Sequence, residues 1–579
     1  MRAIWRGLGL AVLSLWTAGP ICAGDLPQVL TPEHILERVF VSAQRAQASG
    51  AGQALTEAGA RLAAGSGPLA SRLRERQDQT AAIEALQDRL AGATSESGIA
   101  AETAARSLQA ELDEALARLS LLDAEIDRDF PDYRSLTDPA PLTIAELQAL
   151  LDPAEALVMI LGDETQSYVW AVSPTGADWA TVPLGTEALA QAVAHLRTEL
   201  GYGAEAPLRG AAPLDGGAAP KGRSFDRQAA YRLYADLLGP LDRLIAGADH
   251  LLVVADGPLT SLPFSLLVTA PPQGADDDPA ALRATPWLIR RQAITTLPTV
   301  AALRSLRRPV ARDPQEAPRL VGFGDPLLGY RAPTGEPAHP AEDERLAAAV
   351  LAPAGQDTIV TRGVYDDIRR VADLAPLPGT ARELRALAAT IGADRSTLFL
   401  GAAATEAQVR AADLSQASVL AFATHGLLTG GLPGLDEPAL VFTPPSVPSK
   451  ADDALLTASE AAQLNLAADL IILSACDTAG SDGRPGAEGL SGLARAFIYA
   501  GARAILVSHW PVDDDAASQL TVRMIEAMYG PERQTRAGAL RLSMLALMQD
   551  GPDRFAHPAL WAPFVVVGEG GADRIAAAP

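Results

Sequence analysis

Two residues in this 579-residue chain have the types and spacing for nucleophilic chemistry. Cys476 closes the strand-like run Asp469-Leu-Ile-Ile-Leu-Ser-Ala-Cys476 and opens the Gly-rich stretch that ends at Gly486. Fifty-one positions earlier, the apolar run Val419-Leu-Ala-Phe-Ala-Thr424 ends in His425-Gly426. A thiolate is a good nucleophile at neutral pH, and an imidazole within reach lowers the thiol pKa or protonates a leaving amine. The backbone N–H groups of Gly426 and Cys476 are candidate oxyanion donors. The bland alternative is that Cys476 is a small buried hydrophobe, as free cysteines often are.

The elements that must position this pair read as an α/β sheet. Apolar runs begin at Leu157, Tyr168, Leu251, Leu320, Val419, Leu470, Ala504 and Phe564. Helical periods separate them over 224–244, 380–391, 405–414, 487–500, 515–528 and 535–548. Alternating strands and helices, with strands apolar on both faces, predict a mostly parallel sheet flanked by helices. In such a sheet the working site lies beyond the strands' carboxyl ends. The connector between Gly426 and Asp469 holds a loop and a short helix over 457–464. That is enough for a right-handed crossover placing His425 and Cys476 on one edge. Breaker-rich segments 203–222, 270–284, 325–345 and 430–453 read as loops.

Upstream, residues 24–144 lack β-like runs, and Leu108, Leu112, Leu116, Leu119 and Leu122 recur at helical spacing. This predicts an α-helical N-terminal region, a hairpin or coiled coil, followed by the main domain over 145–568 and a flexible tail over 569–579. A tetratricopeptide array is not supported, because no repeat of that period is visible. A protein partner, if one docks, is expected through these helices.

Residues 1–23 read as a signal peptide: Arg2 and Arg6, an apolar stretch from Leu8 to Ala18, then Cys22-Ala23-Gly24. The stretch is too short to span a bilayer, and Gly19-Pro20-Ile21 is a poor lipidation context for Cys22. The expectation is an exported, periplasmic or secreted protein with no membrane anchor and a mature start near Gly24. Cleavage removes two arginines and no acids, leaving 45 basic against 70 acidic side chains, a formal charge of −25. That argues against nucleic-acid and anionic-membrane partners, which need clustered Lys and Arg. Cys476 would then be the one remaining thiol, unpaired in an oxidising compartment.

The linked motifs resemble the CHAT family of caspase-like cysteine peptidases. They are Ala423-Thr-His425-Gly426, Leu473-Ser-Ala-Cys476-Asp-Thr478, Glu488-Gly-Leu-Ser-Gly-Leu-Ala-Arg495 and Gly501-Ala-Arg-Ala-Ile-Leu-Val-Ser-His-Trp510. Upstream, Asp256-Gly-Pro-Leu-Thr-Ser-Leu-Pro263-Phe264 and Leu377-Pro-Gly-Thr-Ala-Arg382-Glu383 extend it. The resemblance implies a caspase-type fold and endopeptidase chemistry on a protein or peptide substrate. The family's dyad maps onto His425 and Cys476, with no cofactor and no third member. A non-catalytic scaffold or interaction module is the alternative.

In caspase-like enzymes the loop after the next strand shapes the pocket for the residue before the scissile bond. Asp513, Asp514 and Asp515 stand there, and acids would favour Arg or Lys; capping of the following helix is the favoured explanation of them, and some could do both. Arg484 is then a candidate self-cleavage site, with Pro485 a hindrance. His509 reads as a hydrogen-bonded core histidine ahead of a ligand or second base. His34, His195, His250, His339 and His557 show no metal-type spacing, so no metal site is expected.

Overall fold

The computed structural model describes residues 31, 33–47, a few helical positions between 72 and 86, then 99–129, 140–201, 224–307 and 317–328. It further describes 371–427 except 372, 373 and 375, then 435, 437–445, 449, 452–474, 492–510, 512–531 and 533–571. The expected signal peptide, Cys476, Arg484 and residues 572–579 lie outside the described residues.

Eleven strands make one sheet. The first seven are β1 (Glu155–Gly162), β2 (Ser167–Ser173), β3 (Gly176–Val182), β4 (His250–Val254), β5 (Ala293–Thr296), β6 (Leu320–Gly324) and β7 (Ser396–Leu400). They are joined by β8 (Val419–Ala423), β12 (Leu470–Leu473), β13 (Ala504–Ser508) and β14 (Phe564–Gly568). The order across the sheet is β3-β2-β1-β4-β5-β14-β13-β12-β8-β6-β7. Beside it, β9 (Gly426–Leu427), β10 (Ala439–Val441) and β11 (Leu455–Thr457) form a small antiparallel sheet.

Each central strand feeds two layers, as the double-faced apolar pattern predicts. On β8, Val419, Ala421 and Ala423 face one core, and Leu420 and Phe422 face the other. The first core runs under the whole sheet and takes residues from short helical turns and from the longer helices α4 (Thr186–Glu199), α5 (Arg227–Leu237), α6 (Pro378–Ile391), α9 (Asp514–Tyr529) and α10 (Arg536–Asp550). The opposite face is covered in two patches. Over β1, β2 and β4 lie α1 (33–47) and α3 (Ile144–Leu150), through Phe40, Ala43 and Leu147. Over β8, β12 and β13 lie α7 (Glu406–Ala411) and α8 (Gly492–Tyr499), through Val409, Leu493 and Phe497. The fold is a mixed, mostly parallel sheet flanked by helices, preceded by N-terminal helices.

Besides the packing of Phe40 and Ala43, hydrogen bonds hold α1 to the segment that enters the domain, one of them from Ile144 N to Glu37 at 3.1 Å. The Gln44 amide donates to Leu142 O at 2.8 Å and accepts from Leu142 N at 3.0 Å, both buried. Beyond it, α2 (Ile99–Asp129) packs Leu112 and Ala115 against Ile83, with Arg76 paired to Asp123 at 2.6 Å.

Three expectations change. The helix expected over 224–244 ends at Leu237, because Pro240 has no N–H to continue it, and the chain passes through a 3₁₀ turn (Gly239–Leu241) into Asp242–Ile245. The loop segment 270–284 contains the helix Pro279–Ala284, capped by Asp278. Residues 569–571, expected in the tail, are packed: Glu569 is 1 % exposed, and its carboxylate lies 2.9 Å from the buried Arg307.

Candidate active site

Strands β8 and β12 are adjacent and parallel, and so are β12 and β13. The carboxyl ends of all three therefore share one edge, which collects His425, the chain leading to Cys476, and Asp513–Asp515. In the β8–β12 ladder Leu470 lies opposite Val419 and Leu473 opposite Phe422, a constant offset of 51 positions. His425 and Cys476 are separated by the same offset. The described part of β12 ends one residue past the ladder at Ser474, whose N–H donates to Phe422 O at 3.0 Å.

His425 is 3 % exposed and its backbone is fixed by the small sheet. Val441 N donates to His425 O at 3.0 Å, the Thr424 hydroxyl donates to Val441 O, and Gly426 pairs with Leu440 at the head of β9. This explains the Thr-His-Gly run: the hydroxyl crosses to β10 while glycine enters the new strand. The sequence reading of 430–453 as loop missed β10, whose three residues are too few for an alternation signal.

At the same edge the Leu377–Glu383 motif is knotted to its neighbours. The Thr380 hydroxyl accepts from Asp325 N at 2.9 Å and donates to Leu377 O at 2.7 Å. Asp325, just past β6, has φ 52°, a left-handed conformation that aspartate tolerates better than most residues. Gly322 and Gly324 allow α6 to approach β6, since a Cβ at either would meet Leu384 at 3.1 and 2.7 Å. Glu383 is 5 % exposed, and Ser474 Oγ donates to its carboxylate at 2.9 Å. Sequence reasoning quoted Glu383 and Ser474 within motifs but gave them no role; a charged residue on the buried face of an amphipathic helix was the available signal.

The acids after β13 all have partners within the chain. Asp513 caps α9 by accepting from Ala516 N at 3.0 Å, and pairs with Arg554 at 2.9 Å. The Asp514 carboxylate lies against Gly379 at the head of α6, where any Cβ would collide with it. Asp515 is 61 % exposed and lies 3.4 Å from Arg382 and 3.6 Å from Arg554. The capping role anticipated for this cluster is present at Asp513.

His509 is buried in the core, and its Nδ1 has no hydrogen-bond partner among the described residues. Burial, aided by the nearby Arg197 charge, pushes its pKa down to about 3 and keeps the ring neutral. Arg197 donates to Ser261 O at 2.9 Å and His509 O at 3.2 Å, tying the Asp256–Phe264 motif to the end of β13. Between them His509, Thr260 and Thr296 line a cavity of about 20 Å³, room for one water and not for a peptide side chain.

The remaining described histidines are engaged separately. His34 bonds Thr31, His195 pairs with Asp226, His250 lies between Glu155 and Thr295, and His557 caps the helix Pro558–Trp561. Among the described residues no group of three His, Cys, Asp or Glu is placed to hold a metal, and no helix is long and apolar enough to cross a membrane.

Comparison with known proteins places these features in a family. The CHAT domain model matches residues 227–569, more than half of the chain. Strands β1–β3, upstream of that span, complete the same sheet. Tetratricopeptide repeat protein 28 of Mus musculus is 35 % identical over 114 residues, 20 % of this chain and 4 % of that one. The Homo sapiens protein is 29 % identical over 222 residues, covering 33 % and 8 %. The chain thus spans less than a tenth of the length of these relatives. Among solved structures, a Saccharomyces cerevisiae separase–securin complex aligns at TM-score 0.35 and 12 % identity, covering 85 % of this chain and 38 % of that one. The Arg-specific cysteine proteinase gingipain R aligns at TM-score 0.31 and 12 % identity, covering 60 % and 67 %. With a matching model that spans both strand ends of the candidate site, the chain belongs to the CHAT family.

Proposed function

We propose that the protein is an exported caspase-like cysteine endopeptidase using Cys476 and His425. The observation that carries this reading is the β8–β12 register, whose offset of 51 matches the spacing of the two residues. Neighbouring strands run about 4.8 Å apart, a separation that side chains at strand ends bridge readily. In the reaction the Cys476 thiolate adds to the scissile carbonyl carbon, and the oxyanion is held by the N–H groups of Gly426 and Cys476. Collapse of that intermediate expels the amine, which takes its proton from His425. Water then hydrolyses the thioester, with the imidazole as base.

For specificity, acids after β13 at the same edge favour a basic residue before the scissile bond, Arg by paired charge-assisted hydrogen bonds and Lys as a point charge. Asp515, 61 % exposed against 17 % for Asp513, is the first to test. Cleavage after Arg, then Lys, ahead of Asp is expected, with Arg484 as the self-cleavage candidate. A preference for Asp or apolar residues in a peptide library would remove the basic-pocket reading and leave the dyad standing. Export is tested by mass spectrometry of secreted protein: a start near Gly24 supports it, and an intact Met1 or a lipid on Cys22 overturns it.

The deciding experiment treats purified protein lacking residues 1–23 with peptidyl acyloxymethyl ketones carrying Arg, Lys, Asp or Leu next to the warhead. An adduct on Cys476 that is absent in His425→Ala supports the peptidase. No adduct with any probe favours the second reading, a non-catalytic interaction module, which draws on relatives that are named for tetratricopeptide repeats.

A further inference from the structure

We propose that Glu383 is a positioning residue for the nucleophile, holding the end of β12 through Ser474; this rests on the reading of Cys476 as nucleophile. Glu383 lies on α6, whose Leu384, Leu387 and Ile391 are buried in the main core. A carboxylate at 5 % exposure in such surroundings is costly unless hydrogen-bonded. One oxygen accepts from Ser474 Oγ at 2.9 Å. The other lies 3.3 Å from Thr521 Oγ1 on α9, whose single proton is shared with Ala517 O at 2.9 Å. The Ser474 bond is therefore the firmer of the two.

Ser474 follows the last ladder pair of β12, bonds Phe422 O through its N–H, and precedes Cys476 by two positions. Two residues span at most about 7 Å, so rotating or shifting the Ser474 backbone carries directly into the nucleophile. The same short motif is fixed at three further points: Thr380 to Asp325 after β6, Gly379 against Asp514, and Thr521 from α9. The head of α6 thus gathers the chain leaving β6, β12 and β13 into one frame. A core-filling role alone would be met by leucine; a buried acceptor aimed at a serine hydroxyl on the nucleophile strand is not needed for packing.

The test follows the rate of Cys476 alkylation by iodoacetamide against pH, read by peptide mass spectrometry, beside peptide turnover. Glu383→Ala and Ser474→Ala are each expected to slow alkylation and lower kcat by about 10- to 100-fold with KM within about twofold. Their double variant is expected to be no worse than Glu383→Ala alone, because both singles remove the Ser474–Glu383 bond. Glu383→Gln keeps an acceptor for Ser474 and is expected to restore most of the rate and the pH midpoint. Wild-type alkylation in folded Ser474→Ala, or additive losses in the double variant, would overturn the proposal. If wild-type protein turns over no peptide the peptidase reading fails, while the alkylation series still decides Glu383.

Discussion

Strands β12 and β13 connect two ends of the molecule that are built differently. Where they begin, the chain is locked by buried charge. Arg307, 1 % exposed, holds Glu155 at 2.7 Å and lies 2.9 Å from Glu569, and Glu155 also meets His250. Arg536 donates to Asp469 O, one residue before β12, and Glu569 N donates to Arg503 O, one residue before β13. Where the strands end, the buried contacts are made by the hydroxyls of Thr424, Thr380 and Ser474 and the carboxylate of Glu383, while the pairs of Asp513 and Asp515 with Arg554 and Arg382 reach solvent. Fully buried ion pairs at one end fix the frame; weaker, directional bonds at the other aim side chains. Removing one partner of a buried pair strands a charge, whereas losing a hydroxyl bond mainly releases geometry.

The largest expected effect lies at the working end. Cys476→Ala and His425→Ala are each expected to cut turnover by at least about 10³-fold while leaving the thermal midpoint nearly unchanged. Substantial cleavage by either variant, or unfolding of both, would break the division between the two ends.

At the locked end the expectation reverses. Arg307→Met leaves Glu155 and Glu569 buried without their guanidinium and is expected to cost about 3–5 kcal/mol in urea unfolding. Cys476 alkylation in the folded variant should stay near wild type. A loss under about 1 kcal/mol would show that the network contributes little beyond packing.

Titration separates the ends further. Burial alone would raise Glu155, but hydrogen bonds from His250 and Arg307 overcome it and hold its pKa at about 2. Its contribution is full above its unfolded value and is lost as pH falls toward 2. His509, held neutral near 3, acts in the same direction, stabilising above pH 6.5 and losing that as pH falls toward 3. Glu406 on α7 runs the other way: burial and the Glu460 charge, against Arg410, push it up to about 8. Its contribution is full below pH 4.5 and is lost as pH rises through 8. Stability should therefore fall in acid and decline again between pH 4.5 and 8, and Glu406→Gln should flatten only the alkaline limb. An unchanged alkaline limb in that variant would place the titration elsewhere.

The smallest effects belong to the acids after β13. Asp513→Ala removes a helix cap and is expected to cost about 1 kcal/mol, while Asp515→Asn at an exposed pair should cost under about 0.5 kcal/mol. If Asp515→Asn nonetheless abolished a preference for Arg over Leu substrates, its role would be recognition.

Eight of the sheet's strands were legible because each is buried on both faces and reads as an apolar run. Those that escaped are β3, with Asp178 and a half-exposed pattern, the four-residue β5, and β7 at the far edge with none of its residues fully buried. Edge position removes the demand for continuous apolar side chains, and with it the signal.

The double-faced strands, the helices between them and the offset of His425 from Cys476 can be read along the chain alone, because they depend on local periodicity and chain order. Tertiary structure decided which strands are neighbours, that β10 anchors His425, and that Glu383 reaches Ser474 from 91 positions away. It also decided that Arg307 closes on Glu155 and Glu569. Such contacts pair groups distant in the chain, and a buried hydrogen bond leaves no periodicity behind: only the packed sheet brings donor and acceptor together.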